Sequence, residues 1–308
     1  MKIGVVGTGG IGGYFGALLA RAGHEVFCLA RGEHLKVIQE KGLRVESVVG
    51  EFTVRPRATG DPAAIGPVEL LLFCVKTYDT DEAAQAVRLL VGDRTAILTL
   101  QNGVESADRI AAAVGPGRVL PGAAYIFSGI AAPGLIRQTA GPRKIVFGEP
   151  VGPPSARAKA ILAACRAAEI SAELTDQIAR VLWEKWAFIC AQGGVTALTR
   201  LPIGEVRACA ETWALFRGVV EEVAAVASAR GIALTPGLVE NILGQAAKLE
   251  PQTASSLSND LGAGRRLEIE ALNGAVVRLG RESGVPTPLN VAIYGALKPY
   301  EGGRRAVP

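Results

Sequence analysis

The sequence predicts an α/β domain built on a doubly wound, mostly parallel sheet, followed by an all-helical C-terminal domain. Three observations carry this. Short apolar runs alternate with helical periodicity through the first half, a glycine-rich turn follows the first run, and from about residue 176 only helical periodicity remains. Residues 1–175 are therefore assigned to the first domain and 176–308 to the second. A chain of 308 residues has length enough for two cores.

Residues 2–6 form the first apolar run. Gly7-Thr8-Gly9-Gly10-Ile11-Gly12 comes next, then helical spacing through Tyr14, Leu18, Leu19 and Ala22 to Gly23, then a second apolar run at 25–30. A helix is expected over 33–41, a hairpin around Val49-Gly50-Glu51, and a buried strand over 70–75. Helix 80–91 and strand 96–100 continue the alternation. Helix 105–114 precedes strands near 118–126, 130–138 and 144–149, and helix 155–168 leads to a last strand at 170–174. Beyond Asp176, a helix N-cap, helices are expected over 177–192, 211–230, 236–249, 253–261, 264–284 and 289–298. Gly193-Gly194, Pro202, Gly231, Pro236 and Pro286/Pro288 separate them.

Composition narrows the chemistry. Glycine is 38 of 308 residues, well above the usual level of about 7%. Histidine occurs only twice, at His24 and His34, which argues against a His-centred triad, a His-ligated metal or a His proton donor. His24 falls in the turn before the second strand and His34 in the following helix; a turn hydrogen bond and a solvated position are expected. Lys and Arg total 33 against 29 acidic residues. Adjacent basic pairs such as Arg265-Arg266 and Arg304-Arg305 make neither a nucleic-acid footprint nor a membrane anchor. The five cysteines (Cys28, Cys74, Cys165, Cys190, Cys209) form no CxxC pair and read as reduced thiols, so no metal is expected. No signal peptide or bilayer-length apolar segment is seen, and a cytoplasmic protein, monomer or homodimer, is expected.

The glycine turn occupies the demanding context for a dinucleotide fingerprint: after a strand, opening a helix, inside a Rossmann-type βαβ unit. Gly7 allows the tight turn, Gly9 lets a pyrophosphate approach the backbone, and Gly12 lets helix and strand pack closely. The helix N-terminus offers unpaired N–H groups to the phosphates. An NAD site places an acidic residue at the end of the second strand; here Arg31 stands nineteen residues beyond Gly12. Arginine cannot accept from a ribose 2′-hydroxyl but pairs with a 2′-phosphate, so NADP(H) is the predicted cofactor. A solvated arginine is the competing reading, with the 2′-phosphate preferred.

Lys76 ends one buried strand, and Asn102-Gly103 ends the next. Carboxyl ends of such strands open into the ligand crevice, although a surface lysine and an Asn-Gly turn would look the same. Lys185 lies between Trp183 and Trp186 on an apolar helix. Desolvation there would lower its pKa into a range useful for proton transfer; a snorkelling lysine is the competing reading.

Taken with Ser255-Ser256 and Gly264-x-x-x-Glu268-Ile269-x-x-x-Asn273-Gly274, these motifs make the chain resemble the ketopantoate reductase (2-dehydropantoate 2-reductase) family from Met1 to about residue 298. The segment Arg281 to Pro288 also looks like the family's C-terminal stretch. The resemblance implies hydride transfer from NADPH to C2 of 2-dehydropantoate, giving (R)-pantoate for pantothenate and coenzyme A synthesis. It assigns catalysis to Lys185, as proton donor, and Glu268. Gly7, Thr8, Gly9, Gly10, Ile11, Gly12, Arg31, Lys76, Asn102 and Glu268 fall to the cofactor, and Asn102, Lys185 and Ser256 to a small 2-keto acid.

The resemblance lapses where family members carry asparagines. Ile189, Gly193, Ile203 and Thr253 stand there, which predicts a more apolar pocket and an alternative, less polar 2-keto acid. A non-catalytic NADP sensor is a further reading, opposed by the presence of both Lys185 and Glu268. An opine-type dehydrogenase would need a His–Asp pair, and the second domain holds no histidine. Tyr294-x-x-x-Lys298 spells the short-chain dehydrogenase signature, but in a helical domain near the C-terminus.

Overall fold

The computed structural model describes residues 1–303, so the Arg304-Arg305 pair lies outside the described residues. The chain divides into two compact units. One comprises residues 1–101 and 105–178; the other comprises residues 102–104 and the chain from Ala179 onward.

The first unit is α/β. Strands β1 (Lys2–Val6), β2 (Glu25–Leu29), β3 (Leu43–Ser47), β4 (Gly50–Val54), β5 (Arg57–Thr59), β6 (Val68–Phe73), β7 (Val91–Thr99), β8 (Val119–Ala132), β9 (Leu135–Phe147) and β10 (Ser171–Leu174) form one sheet. Its order is β4-β3-β9-β8-β7-β6-β1-β2-β5, with β10 beside β9. Only β3–β4 and β8–β9 pair antiparallel; the other pairings are parallel. Helices α1 (Gly10–Arg21), α2 (Gly32–Lys41), α3 (Thr80–Ala86), α4 (Ser106–Val114) and α5 (Ala156–Ala167) connect them. Strands β1 and β6 are apolar at nearly every position because both sheet faces are covered: Ile3, Val5, Leu70, Leu71 and Phe73 are fully buried. The strand order reverses at β1, with β2 on one side and β6 on the other. The carboxyl end of that strand carries the glycine turn.

The second unit is helical: α6 (Ile178–Thr199), α7 (Ile203–Ala208), α8 (Ala210–Ala229), α9 (Leu238–Ala247), α10 (Ser256–Gly262), a π-turn (Glu270–Gly274), α11 (Ala275–Glu282) and α12 (Pro288–Leu297). Its core is one cluster running from Trp186, Cys190 and Val195 of α6 through Phe216, Val220 and Val223 of α8 to Ile293 of α12. Among the described residues no helix is long and apolar enough to cross a membrane.

Four element expectations change. The strands expected at 130–138 and 144–149 are one strand, β9, hairpinned to β8 through Pro133-Gly134, where Gly134 takes φ +74°. Gly129 pairs in register with Arg137, and Gly141, at φ +87°, lies opposite the register shift between Tyr125 and Phe127. Helix 80–91 ends at Ala86, and a 3₁₀ turn leads into β7 at Val91.

Gly193-Gly194 does not end a helix. Helix α6 runs through it to Thr199, because a Cβ on Gly194 would stand 2.9 Å from both Asn273 Nδ2 and Ile293 Cγ2. These glycines thin the helix for close packing. The helix expected over 264–284 starts only at Glu270, since Gly264 turns left-handed at φ +64°.

Candidate active site

In the α/β unit the glycine turn has the geometry of a phosphate cradle. Gly7 takes φ +87°, and its Cβ would lie 2.6 Å from the Val75 nitrogen. At Gly12 a Cβ would lie 2.3 Å from the Gly7 carbonyl oxygen, so helix α1 packs onto the turn only as glycine. Gly10 abuts the Ser128 carbonyl in the same way. Gly9 differs: a Cβ there meets nothing within 4 Å. The space over Gly9 is what a close-lying pyrophosphate requires, and α1 begins beside it.

Thr8 is buried, and its hydroxyl donates to the Leu29 carbonyl at 2.9 Å. Its hydroxyl is thereby committed within the fold. Ile11, in the first turn of α1, is half-buried and packs on the core beneath it. Arg31 caps the start of α2 with its side chain exposed, 3.5 Å from Glu82. An exposed pair of this kind contributes little and leaves the guanidinium able to change partners. Lys76 follows β6 by three residues, just past the Cys74–Val75 backbone that flanks Gly7.

The structure corrects the expectation for His34. Its ring is half-buried: Nε2 lies 2.8 Å from the Thr8 carbonyl, and the Gly134 N–H donates to Nδ1 at 2.9 Å. Helix α2 begins just past the end of β2, so its third residue sits beside the glycine turn, whereas a solvated position follows only if α2 lies clear of it. His24 is in its expected turn, with Nδ1 3.2 Å from the Met1 amine.

The helical unit brings three segments together. Lys185 Nζ donates to Asn102 Oδ1 at 3.1 Å. Burial drops the Lys185 ammonium from the usual lysine range to about 8, while the negative charge of Glu268 works in the opposite direction. Glu268 is itself 7% exposed. A buried carboxylate next to a buried ammonium is the arrangement that keeps a lysine charged where burial alone would neutralise it.

A hydrogen bond that sequence reasoning missed aligns these segments. Trp186 Nε1, on the residue after the lysine, donates to the Ala271 carbonyl at 3.0 Å. A Cβ on Gly103 would lie 3.2 Å from that same oxygen, so the residue after Asn102 must be small. The Glu268 carbonyl accepts from the Ala271 and Leu272 amides at 3.1 and 3.2 Å. The Glu268 segment then enters a π-turn with Leu272 at φ −101°, ψ −111°, non-helical geometry of the kind that collects at functional sites. An indole flanking the lysine was the available signal; its acceptor has none.

Of the serine pair, Ser255 serves structure. It caps α10 by accepting from the Ser258 amide at 2.9 Å, and its hydroxyl lies 2.8 Å from that of Thr196. Ser256, the first residue of α10, is exposed. Ile189, one turn beyond Lys185, is half-buried, whereas Ile203 is fully buried in the helical core. Tyr294 and Lys298 both bind the Glu270 carboxylate, a structural ion cluster at the end of α12. Among the described residues no three His, Cys, Asp or Glu side chains converge as a metal site.

Two family models match the chain. "Ketopantoate reductase PanE/ApbA" covers residues 3–152, and "Ketopantoate reductase PanE/ApbA C terminal" covers residues 177–301. A 2-dehydropantoate 2-reductase of Halobacterium salinarum is 32% identical, over 94% of this chain and 95% of that protein. A PanE/ApbA family ketopantoate reductase from Ralstonia eutropha JMP134 superposes with a TM-score of 0.91 at 35% identity, covering 98% of each chain. The 2-dehydropantoate 2-reductase of Geobacter metallireducens GS-15 gives a TM-score of 0.91 at 31% identity, covering 97% of this chain and 99% of that one.

Proposed function

The chain belongs to the ketopantoate reductase family, a family of oxidoreductases, and from that premise we propose that it reduces the C2 ketone of 2-dehydropantoate to (R)-pantoate with NADPH. The observation that carries the reading is the buried Lys185, whose Nζ donates to Asn102 Oδ1 at 3.1 Å within the field of the buried Glu268 charge. The cofactor supplies the hydride when bound.

Every other task falls to the chain. The Lys185 ammonium hydrogen-bonds the ketone oxygen, stabilises the charge that develops as C2 is reduced, and gives up its proton to that oxygen. Asn102 orients the ammonium through its side-chain oxygen, and Glu268 keeps it protonated at neutral pH. The proton is then restored from solvent. The open backbone at Gly9 and the N–H groups of α1 take the pyrophosphate, Arg31 the 2′-phosphate, Lys76 the ribose side, and exposed Ser256 the substrate carboxylate.

A second substrate reading has its own support. Ile189, half-buried, stands one turn from Lys185 on α6 and sets an apolar side chain where the relatives' pattern expects an amide. This favours a 2-keto acid with an aliphatic tail. A keto-acid panel separates the readings: a larger kcat/KM for 2-dehydropantoate than for an aliphatic 2-keto acid supports the first, and the reverse order overturns it. Lys185→Ala should still bind NADPH while losing its oxidation by every keto acid; unchanged turnover would remove Lys185 from the chemistry.

A further inference from the structure

His34 has work that neither reading above assigns to it. Both ring nitrogens are engaged, in opposite senses. Nδ1 accepts from the Gly134 N–H at 2.9 Å, so it carries no proton, and Nε2 therefore donates to the Thr8 carbonyl at 2.8 Å. The ring is a neutral bridge from the β8–β9 hairpin to the second residue of the glycine turn. Burial, which lowers its pKa, favours the same neutral form.

The consequence follows from peptide geometry. Among the described residues no peptide bond is cis, so the Thr8 carbonyl and the Gly9 N–H, which share one peptide plane, point in opposite directions. Holding the carbonyl toward α2 turns the Gly9 N–H away from it. The Thr8 hydroxyl and N–H are already used on Leu29, at 2.9 and 3.4 Å, and leave the orientation of the next peptide unfixed. Glycine at position 9 has no side chain to restrict that peptide, and nothing packs over it.

We propose that His34 is a positioning residue for the dinucleotide site, locking the Thr8–Gly9 peptide so that the Gly9 N–H is preset to donate to a phosphate oxygen of the cofactor. The inference rests on the cofactor reading given above. Its gain is preorganisation: without the ring, the peptide must be oriented at the expense of binding.

Two substitutions divide the bridge. Asn at 34 reaches the position of Nδ1 and keeps the Gly134 contact but loses Thr8; Gln reaches the position of Nε2 and keeps Thr8. Titration of the purified full chain with NADPH, followed by nucleotide fluorescence, reads affinity directly, and steady-state rates give the KM-against-kcat division. His34→Asn should weaken NADPH binding about tenfold, with KM for NADPH rising and kcat changing far less; His34→Gln should stay within about threefold of the wild type. Equal affinity of His34→Asn and wild type overturns the proposal. So does equal weakening by both substitutions in step with a lowered Tm, which marks a merely structural contact. Loss of binding in His34→Gln with its Tm unchanged overturns it as well. A wild-type chain that binds no dinucleotide fails at the cofactor reading itself and takes this inference with it.

Discussion

A proton donor with a pKa of about 8 leaves a signature in the pH dependence of the rate. At that pKa the Lys185 ammonium is ~90% populated at pH 7 and ~10% at pH 9, so kcat/KM for keto-acid reduction should fall roughly tenfold between them. A lysine left at 10.5, its ordinary value, would hold the rate nearly level to pH 9. The perturbation that tests the cause is Glu268→Gln. The Glu268 charge raises the Lys185 pKa, so removing it lowers that pKa and moves the alkaline limb to lower pH, whatever happens to the height of the profile. Initial rates of NADPH oxidation at saturating cofactor from pH 6 to 10 measure both limbs. Oxidation of the hydroxy acid by NADP should run as the mirror image, rising through the same pKa because the neutral amine is then the base. A wild-type limb above pH 10, or a limb that stays in place in Glu268→Gln, refutes the assignment of proton transfer to this pair.

Three further outcomes follow from the same structure. Lys185 has a folded pKa near 8 against an ordinary 10.5, so the unfolded chain holds the extra proton between these values and stability should rise with pH across that window. Lys185→Met should abolish that slope in denaturant unfolding. Gly9→Ala places its methyl in open space at φ −89° and should leave Tm unchanged while weakening NADPH at least about tenfold by fluorescence titration. Gly194→Ala drives a methyl to 2.9 Å from Asn273 and Ile293 and should cost ~1–3 kcal/mol in urea unfolding.

Much of the fold was legible because burial on both sheet faces writes continuous apolar runs, as in β1 and β6, and because Gly7, Gly9 and Gly12 stand in the order a βαβ turn requires. The boundaries that shifted have local causes. Glycine here has several uses that look alike in sequence: Gly264 turns left-handed at φ +64° ahead of its helix, Gly194 serves as a space for Asn273, Gly141 takes φ +87° at a bulge without ending its strand, and Gly129 pairs in register with Arg137. At the candidate site, the residues whose chemistry is peculiar to their type were visible, Lys185 between two tryptophans above all. What escaped was pairing over long separations: a backbone carbonyl such as Ala271 or Thr8 looks the same in any sequence, so neither the Trp186 bond nor the His34 bridge has a spelling.

Residues 102–104 belong to the helical unit, which bears on how such a chain can be made and rearranged. Asn102 leaves a synthesising machine long before Lys185, so its partner is missing until the sheet unit has been completed. The lysine corner is thus a late, long-range closure in folding. A gene cut at residue 178 yields a helical fragment with the ammonium but without the amide that accepts from it. Grafting that fragment onto another nucleotide-binding half transfers the lysine intact but requires the recipient to bring its own three-residue loop, so exchange of halves succeeds only between chains that already share it.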